Sequence, residues 1–112
     1  SDSHSRKETI TKDFLKLVKE HGSKQRTLGF YARELCVTPK YLSSSVTKTT
    51  KKTTRNWMGE TTMSKARFYL ESTSSTMAQI AELLNFPSSA DFVRFFRQHE
   101  GMTPLRYRRK SL

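Results

Sequence analysis

The chain repeats itself. Thr27-Leu28-x-x-Tyr31-Ala32-x-x-Leu35-x-Val37 returns 49 positions later as Thr76-Met77-x-x-Ile80-Ala81-x-x-Leu84-x-Phe86. After a short break, Leu42 and Val46 return 50 positions later as Phe92 and Phe96, so the second break holds one more residue. Apolar residues at i, i+3, i+4 and i+7 describe one face of a helix. Each copy therefore reads as helix, short turn, helix, with the same alanine where the two helices meet. A plain helical bundle shares the periodicity. It has no need to repeat the alanine and the turn together.

The rest of the chain also reads as helical, giving an all-α fold of about seven helices with few Gly or Pro to break them. Phe14, Leu15, Leu17 and Val18 mark a first helix ending near His21-Gly22, where Gly suits a left-handed stop. Thr27 and Thr76 stand where helix caps belong. Thr38-Pro39 is a cap followed by proline at the first helical position, and Ser88-x-x-Asp91 is a second helix opening. Asn85 suits the left-handed turn of the second copy. A longer helix is expected over 55–72, although Gly59 and Thr61-Thr62 weaken its first turns. The Ser/Thr/Lys-rich stretch 47–54 reads as a flexible linker or as one helix ending and the next beginning. These signals divide the chain into a polar tail (1–7), a first helix-turn-helix subdomain (8–54), a linker helix (55–72) and a second subdomain (73–112). The start at Ser1 suits a piece of a longer protein.

Charge narrows the partner. Lys and Arg number 21 against 10 acids, a net of +11. No acid stands between Glu34 and Glu60 or after Glu100, whereas both stretches carry several Lys or Arg. Regional clusters of this kind suit a polyanion, with DNA or RNA first. The lone Cys36 forms no intramolecular bridge, which fits a reducing, cytoplasmic setting. It sits in a turn, where a small buried residue belongs. No apolar run is long enough for a membrane span. His4, His21 and His99 are scattered without zinc spacing, and no catalytic constellation or cofactor motif is present. The residues give no support to an enzyme. RNA accounts for the charge but not for the turn motifs.

Three pieces carry a resemblance. Ile80-Ala81 with Phe86 gives I-A-x-x-x-x-F, Phe92-x-Arg94-x-Phe96 gives F-x-R-x-F, and Gly101-x-Thr103-Pro104-x-x-Tyr107-Arg108 closes the chain. In the first copy, Leu35 to Leu42 matches a looser L-x-x-S-P-x-Y-L. With these pieces the chain resembles the C-terminal domain of AraC-family transcription regulators from about Glu8 to Lys110. It departs at Val46, where the family usually has Phe, and at Lys51 and Asn85, where Gly is common. The resemblance implies two helix-turn-helix units joined by a long helix, with recognition helices in successive major grooves roughly 34 Å apart. It implies double-stranded DNA as partner, RNA polymerase as a further one, and a sensor or signalling domain N-terminal to this segment.

The resemblance also implies roles for particular residues. Base contacts fall to Lys40, Ser43 and Ser44 in the first unit and to Ser89, Ala90, Val93 and Arg94 in the second. Short serines allow close approach, and Val93 suits a thymine methyl. Ser43 to Ser45 also read as a solvated face. Arg94 reads either as a guanine contact or as an i, i+3 partner of Asp91. Asp91 itself reads as a cap partner. Thr38, Lys48, Lys51, Lys52, Arg55, Arg97, Arg106, Arg108 and Arg109 are phosphate candidates, or ordinary surface charge. Trp57, Met63, Phe68, Tyr69, Phe92, Phe95 and Phe96 read as core.

Overall fold

A computed structural model describes the backbone of residues 2–112 and the side chains from Arg6 onward. Among the described residues there are seven helices and no strand: α1 (Asp2–His21), α2 (Leu28–Glu34), α3 (Pro39–Thr50), α4 (Thr54–Ser72), α5 (Met77–Leu83), α6 (Ser89–Glu100) and α7 (Pro104–Lys110). The chain forms two compact units that meet at Thr61 and Thr62, within α4. The all-α architecture read from the repeat is the one observed.

The first unit packs Ile10, Phe14 and Val18 of α1 against Tyr31, Ala32, Leu42, Val46 and Met58. Phe14 meets Tyr31 edge to face at 5.4 Å. The Tyr31 hydroxyl donates to the Gln25 carbonyl at 2.7 Å, so this buried ring keeps its polar tip satisfied. Val46, in place of a Phe, is fully buried. Ser45 is fully buried too, which corrects its reading as part of a solvated face. Its carbonyl accepts from Thr11 Oγ1 at 3.2 Å, which ties α3 to α1. The second unit packs Met63, Ala66 and Leu70 against Ile80, Ala81, Leu84, Phe92 and Phe96. The described length of α4 is thus shared, with Met58 in one core and Met63 in the other.

Local chemistry explains several differences from the sequence reading. Helix α1 already runs from Asp2, so residues 2–7 begin a helix instead of forming a tail. Ser1 and the His4 side chain lie outside the described residues. Gly22 is not a left-handed stop, because the positive-φ residues of the described chain are Cys36, Lys51, Asn85 and Gly101. Glycine is needed there for close approach. A Cβ on Gly22 would lie 2.5 Å from the Val18 carbonyl oxygen and 3.0 Å from Thr61 Cβ. Thr27 occupies the N-cap of α2 without a side-chain cap bond, whereas Thr76 and Gln79 make a full capping box on α5. Helix α4 continues through Gly59 and Thr61, where the Thr61 hydroxyl donates back to the Trp57 carbonyl at 3.2 Å. Phe68 is 53% exposed and so is not a core residue. It faces out on α4, with the Lys65 ammonium 5.9 Å from its ring.

In the 47–54 stretch one helix ends and the next begins. Helix α3 ends at Thr50 and α4 starts at Thr54. Thr50 Oγ1 donates to the Val46 carbonyl at 2.8 Å and accepts from Trp57 Nε1 at 3.0 Å. Lys51 supplies the left-handed C-terminal residue of α3 at φ 66, as Gly101 does for α6 at φ 85. An L-residue held there costs about 1–2 kcal/mol, partly offset by the greater unfolded-state freedom of glycine. Cys36→Gly and Lys51→Gly are therefore each expected to raise stability by about 0.5–1 kcal/mol. Urea midpoints measure the gain, and a lower midpoint for either variant would refute the strain.

Two tyrosines contribute stability that is lost at alkaline pH. The Glu71 carboxylate accepts the Tyr107 hydroxyl and, with burial, pushes the phenol up to about 12. Burial pushes Tyr31 up to about 12 as well, against the lowering influence of Arg26. Both folded pKa values lie above the unfolded value near 10. Their contribution is complete below about pH 10 and is lost as pH rises toward about 12. Denaturant titrations from about pH 9 to about 12 should show falling stability, and Tyr107→Phe should flatten the decline. A slope unchanged by Tyr107→Phe would count against the Glu71 contact.

Candidate nucleic-acid interface

Two turns of matching construction position the candidate helices. In the first, Cys36 at φ 56 follows α2. Its N–H donates to the Arg33 carbonyl at 3.2 Å, and Val37 N–H donates to the Ala32 carbonyl at 3.0 Å. In the second, Asn85 at φ 62 follows α5, with Asn85 N–H to Glu82 O at 3.1 Å and Phe86 N–H to Ala81 O at 2.8 Å. Both are Schellman closures, in which a left-handed residue satisfies the last helical carbonyls. The repeated alanine is the residue whose carbonyl takes the longer-range bond. Cys36 is exposed, which corrects its reading as a buried small residue. A left-handed residue at a chain reversal turns its side chain toward solvent.

The following helices are capped alike. Thr38 Oγ1 accepts from Tyr41 N–H at 3.1 Å, with Pro39 first in α3. Ser88 Oγ accepts from Asp91 N–H at 3.3 Å and donates to the Asp91 carboxylate at 2.9 Å. Both caps stand at the positive end of a helix dipole, and that of α6 also holds the Asp91 carboxylate. Thr38 accepts within the cap and still has a hydroxyl proton to donate.

On α3, Lys40, Ser44 and Thr47 are exposed and Ser43 is half-buried. They share one face at i, i+3, i+4 and i+7. On α6, Ser89, Ala90, Arg94 and Arg97 are exposed and Val93 is half-buried. Those five residues line a groove of about 750 Å³ together with Met77 and Gln98. Met77 and Gln98 escaped the sequence reading. Met77 was absorbed into the apolar repeat, but Gln98 lies four residues after Arg94 and could have been found by extending the face by one turn.

Arg94 Nη1 lies 3.1 Å from Asp91 Oδ1, so the i, i+3 pair exists. Both partners are solvent-accessible, and such a pair is worth about 0–1 kcal/mol. A bidentate guanine contact is worth about 1–3 kcal/mol. The pair is therefore too weak to hold Arg94 against a stronger partner.

The phosphate candidates separate into two groups. Lys48, Lys51, Arg55, Arg97, Arg106 and Arg109 are exposed and stand outside the ion pairs among the described residues. Lys52 is held by Glu60 at 2.9 Å and lies 4.3 Å from the centroid of the Trp57 ring. Arg108 is committed elsewhere. Its Nε donates to the Leu70 carbonyl at 3.1 Å, and its Nη2 donates to those of Tyr69 and Thr73 at 3.3 Å each. These are the carbonyls at the C-terminus of α4, where a cation also meets the negative end of the helix dipole. The closing motif is therefore structural. Gly101 ends α6, Thr103 caps α7 by accepting from Arg106 N–H at 3.3 Å, and Tyr107 and Arg108 fasten α7 to α4. Arg6, first assigned to the tail, joins the Cys36, Thr38 and Tyr41 depression, with its guanidinium 5.7 Å from the Tyr41 ring.

Among the described residues, no cluster of His, Cys, Asp or Glu could hold a metal, and no helix is long and apolar enough to cross a membrane.

A family model described as a helix-turn-helix domain matches residues 31–110. The uncharacterized HTH-type transcriptional regulator YtdP of Bacillus subtilis (strain 168) is 28% identical over 102 residues. That alignment takes in 91% of this chain and 13% of YtdP, so the chain spans a small part of its relative's length. The C-terminal domain of AraT, a response regulator from Geobacillus stearothermophilus, has a TM-score of 0.84 at 27% identity, covering 90% of this chain and 84% of that one. The DNA-binding domain of AdpA, a global transcriptional factor crystallised with a target DNA, has a TM-score of 0.77 at 18% identity, covering 89% of this chain and 90% of that one.

Proposed function

This chain belongs to the AraC-type helix-turn-helix family, and from that premise we propose that it binds double-stranded DNA sequence-specifically to regulate transcription. Helices α3 and α6 each enter a major groove, in successive turns of the duplex. The observation that carries this reading is the duplicated frame of a Schellman turn followed by a hydroxyl-capped helix. Each frame presents an exposed face whose surround is rich in Lys and Arg. The fold shared with the AdpA domain, solved on DNA, supports it.

The roles follow from exposure and chemistry. Lys40, Ser43 and Ser44 read bases from α3, and Ser89, Ala90, Val93 and Arg94 read them from α6. Thr38, Lys48, Arg55, Arg97 and Arg106 hold phosphates, which set register without reading sequence. The protein works where chromosomal DNA is, in the bacterial cytoplasm. A sensor or signalling domain N-terminal to this segment supplies the input, and RNA polymerase receives the output.

Site selection on random duplexes at moderate salt tests the reading. A single enriched motif is expected, and enrichment of none would sink sequence-specific binding. Within that motif, Arg94→Ala should relax preference at one position by about 1–3 kcal/mol and leave the others intact. Equal loss on all sequences would make Arg94 a phosphate contact instead.

A further inference from the structure

The two recognition faces differ in chemistry at matched positions. On α6, the groove of about 750 Å³ is lined mostly by apolar surface, with Ala90 and Val93 from the helix and Met77 from α5. Arg94 and Arg97 line it as well. The positions 50 residues earlier on α3 are Lys40 for Ala90, Ser43 for Val93, Ser44 for Arg94 and Thr47 for Arg97. At two of these four positions, Ala90 and Val93, the second face offers carbon where the first offers the hydrogen-bonding Lys40 and Ser43.

Among major-groove edges, the one apolar group is the thymine C5-methyl, and it lies beside acceptors that suit arginine. We infer that the second unit adds carbon to its readout, packing thymine methyl groups into the Met77–Ala90–Val93 groove beside Arg94, while the first unit reads by hydrogen bonds. This inference rests on the DNA-binding reading above. Charge complementarity favours DNA over an apolar protein segment as the occupant. Arg94 and Arg97 would be desolvated by such a segment, whereas the duplex supplies phosphates and guanine acceptors beside each methyl. Asp91, the acid of this face, is already engaged by Ser88 and Arg94. Gln98, at the C-terminal end of the same face, can donate to or accept from a flanking base.

The test starts from the selected duplex. The second half-site is the one whose preference Arg94→Ala relaxes. Deoxyuridine then replaces each thymidine in turn, removing a methyl and nothing else. Each methyl seated in the groove should be worth about 3- to 5-fold in affinity. The expected result is that loss at one or two positions of the second half-site and none in the first. Ala90→Ser, a change at an exposed position, and Val93→Ser should each shrink the deoxyuridine penalty toward 1-fold. Sequence-specific binding that tolerates deoxyuridine throughout would overturn the inference and leave the DNA-binding reading standing. A penalty that persists undiminished in both serine variants would place the methyl contact elsewhere and overturn it too. Failure to select any motif would remove the reading beneath it.

Discussion

Arg108→Ala should lower the stability of the second unit by about 2–4 kcal/mol and leave the salt dependence of DNA binding unchanged while the protein is folded. The side chain makes three hydrogen bonds to the carbonyls of Tyr69, Leu70 and Thr73. A charged hydrogen bond contributes about 1.5–3 kcal/mol, but three bonds from one guanidinium do not add fully. Losing it removes these three bonds from the end of α4 and leaves α7 fastened there through Tyr107. Arg108→Lys should recover only part of the loss, because an ammonium is a point charge and cannot span three carbonyls as a planar fork does. Thermal unfolding and a salt titration of affinity together decide the role. A phosphate contact would show the reverse pattern, with unchanged unfolding and a slope shallower by about 0.9.

The second large effect concerns affinity without stability. Lys48, Arg55 and Arg97 are exposed and stand outside the ion pairs among the described residues, so replacing all three by alanine should leave unfolding within about 0.5 kcal/mol per site. If each neutralises one phosphate, the slope of log affinity against log salt should become shallower by about 2.7. Raising salt from about 50 to about 200 mM would then cost the variant about 40-fold less affinity than it costs the parent. The change should be equal on selected and unselected duplexes, because phosphate contacts carry no sequence information. An unchanged slope would move the phosphate surface off these residues. Lys52 is the instructive control. Its charge already faces Glu60 and Trp57, so Lys52→Ala should alter the slope less than any one of the three.

The sequence was most informative where cause and effect lie within a few residues. The Thr38, Thr76 and Ser88 caps, the left-handed Asn85 and the buried Phe92 and Phe96 each follow from neighbours within a turn of helix. So does the division of α3 into a buried face with Leu42 and Val46 and an exposed one with Lys40 and Ser44. Other positions depend on partners far along the chain. Gly22 is small because Thr61 comes close, and Arg108 is a structural cap because it reaches residues 35 to 39 positions away. No local pattern encodes such reach. Phe68 shows the limit of composition. An aromatic residue in a helix that carries core residues reads as core, yet its phase on α4 points it outward. Ser45 is the converse, a polar residue buried because α1 crosses over it. On the candidate interface, the α6 face was legible through Arg94 and Val93, but the groove needed Met77 from another helix.

The cap that Arg108 provides also has a time of arrival. During synthesis Leu70 leaves the ribosome 38 residues before Arg108 does. At about 5–20 residues per second, that is an interval of roughly 2–8 s. The carbonyls at the end of α4 lack this partner through that time, and Glu71 lacks the Tyr107 hydroxyl. The second helix-turn-helix is thus translated entire before its own fastening exists. Its completion waits on residues that belong to no recognition helix, and a pause in translation before position 107 would prolong the unfastened state.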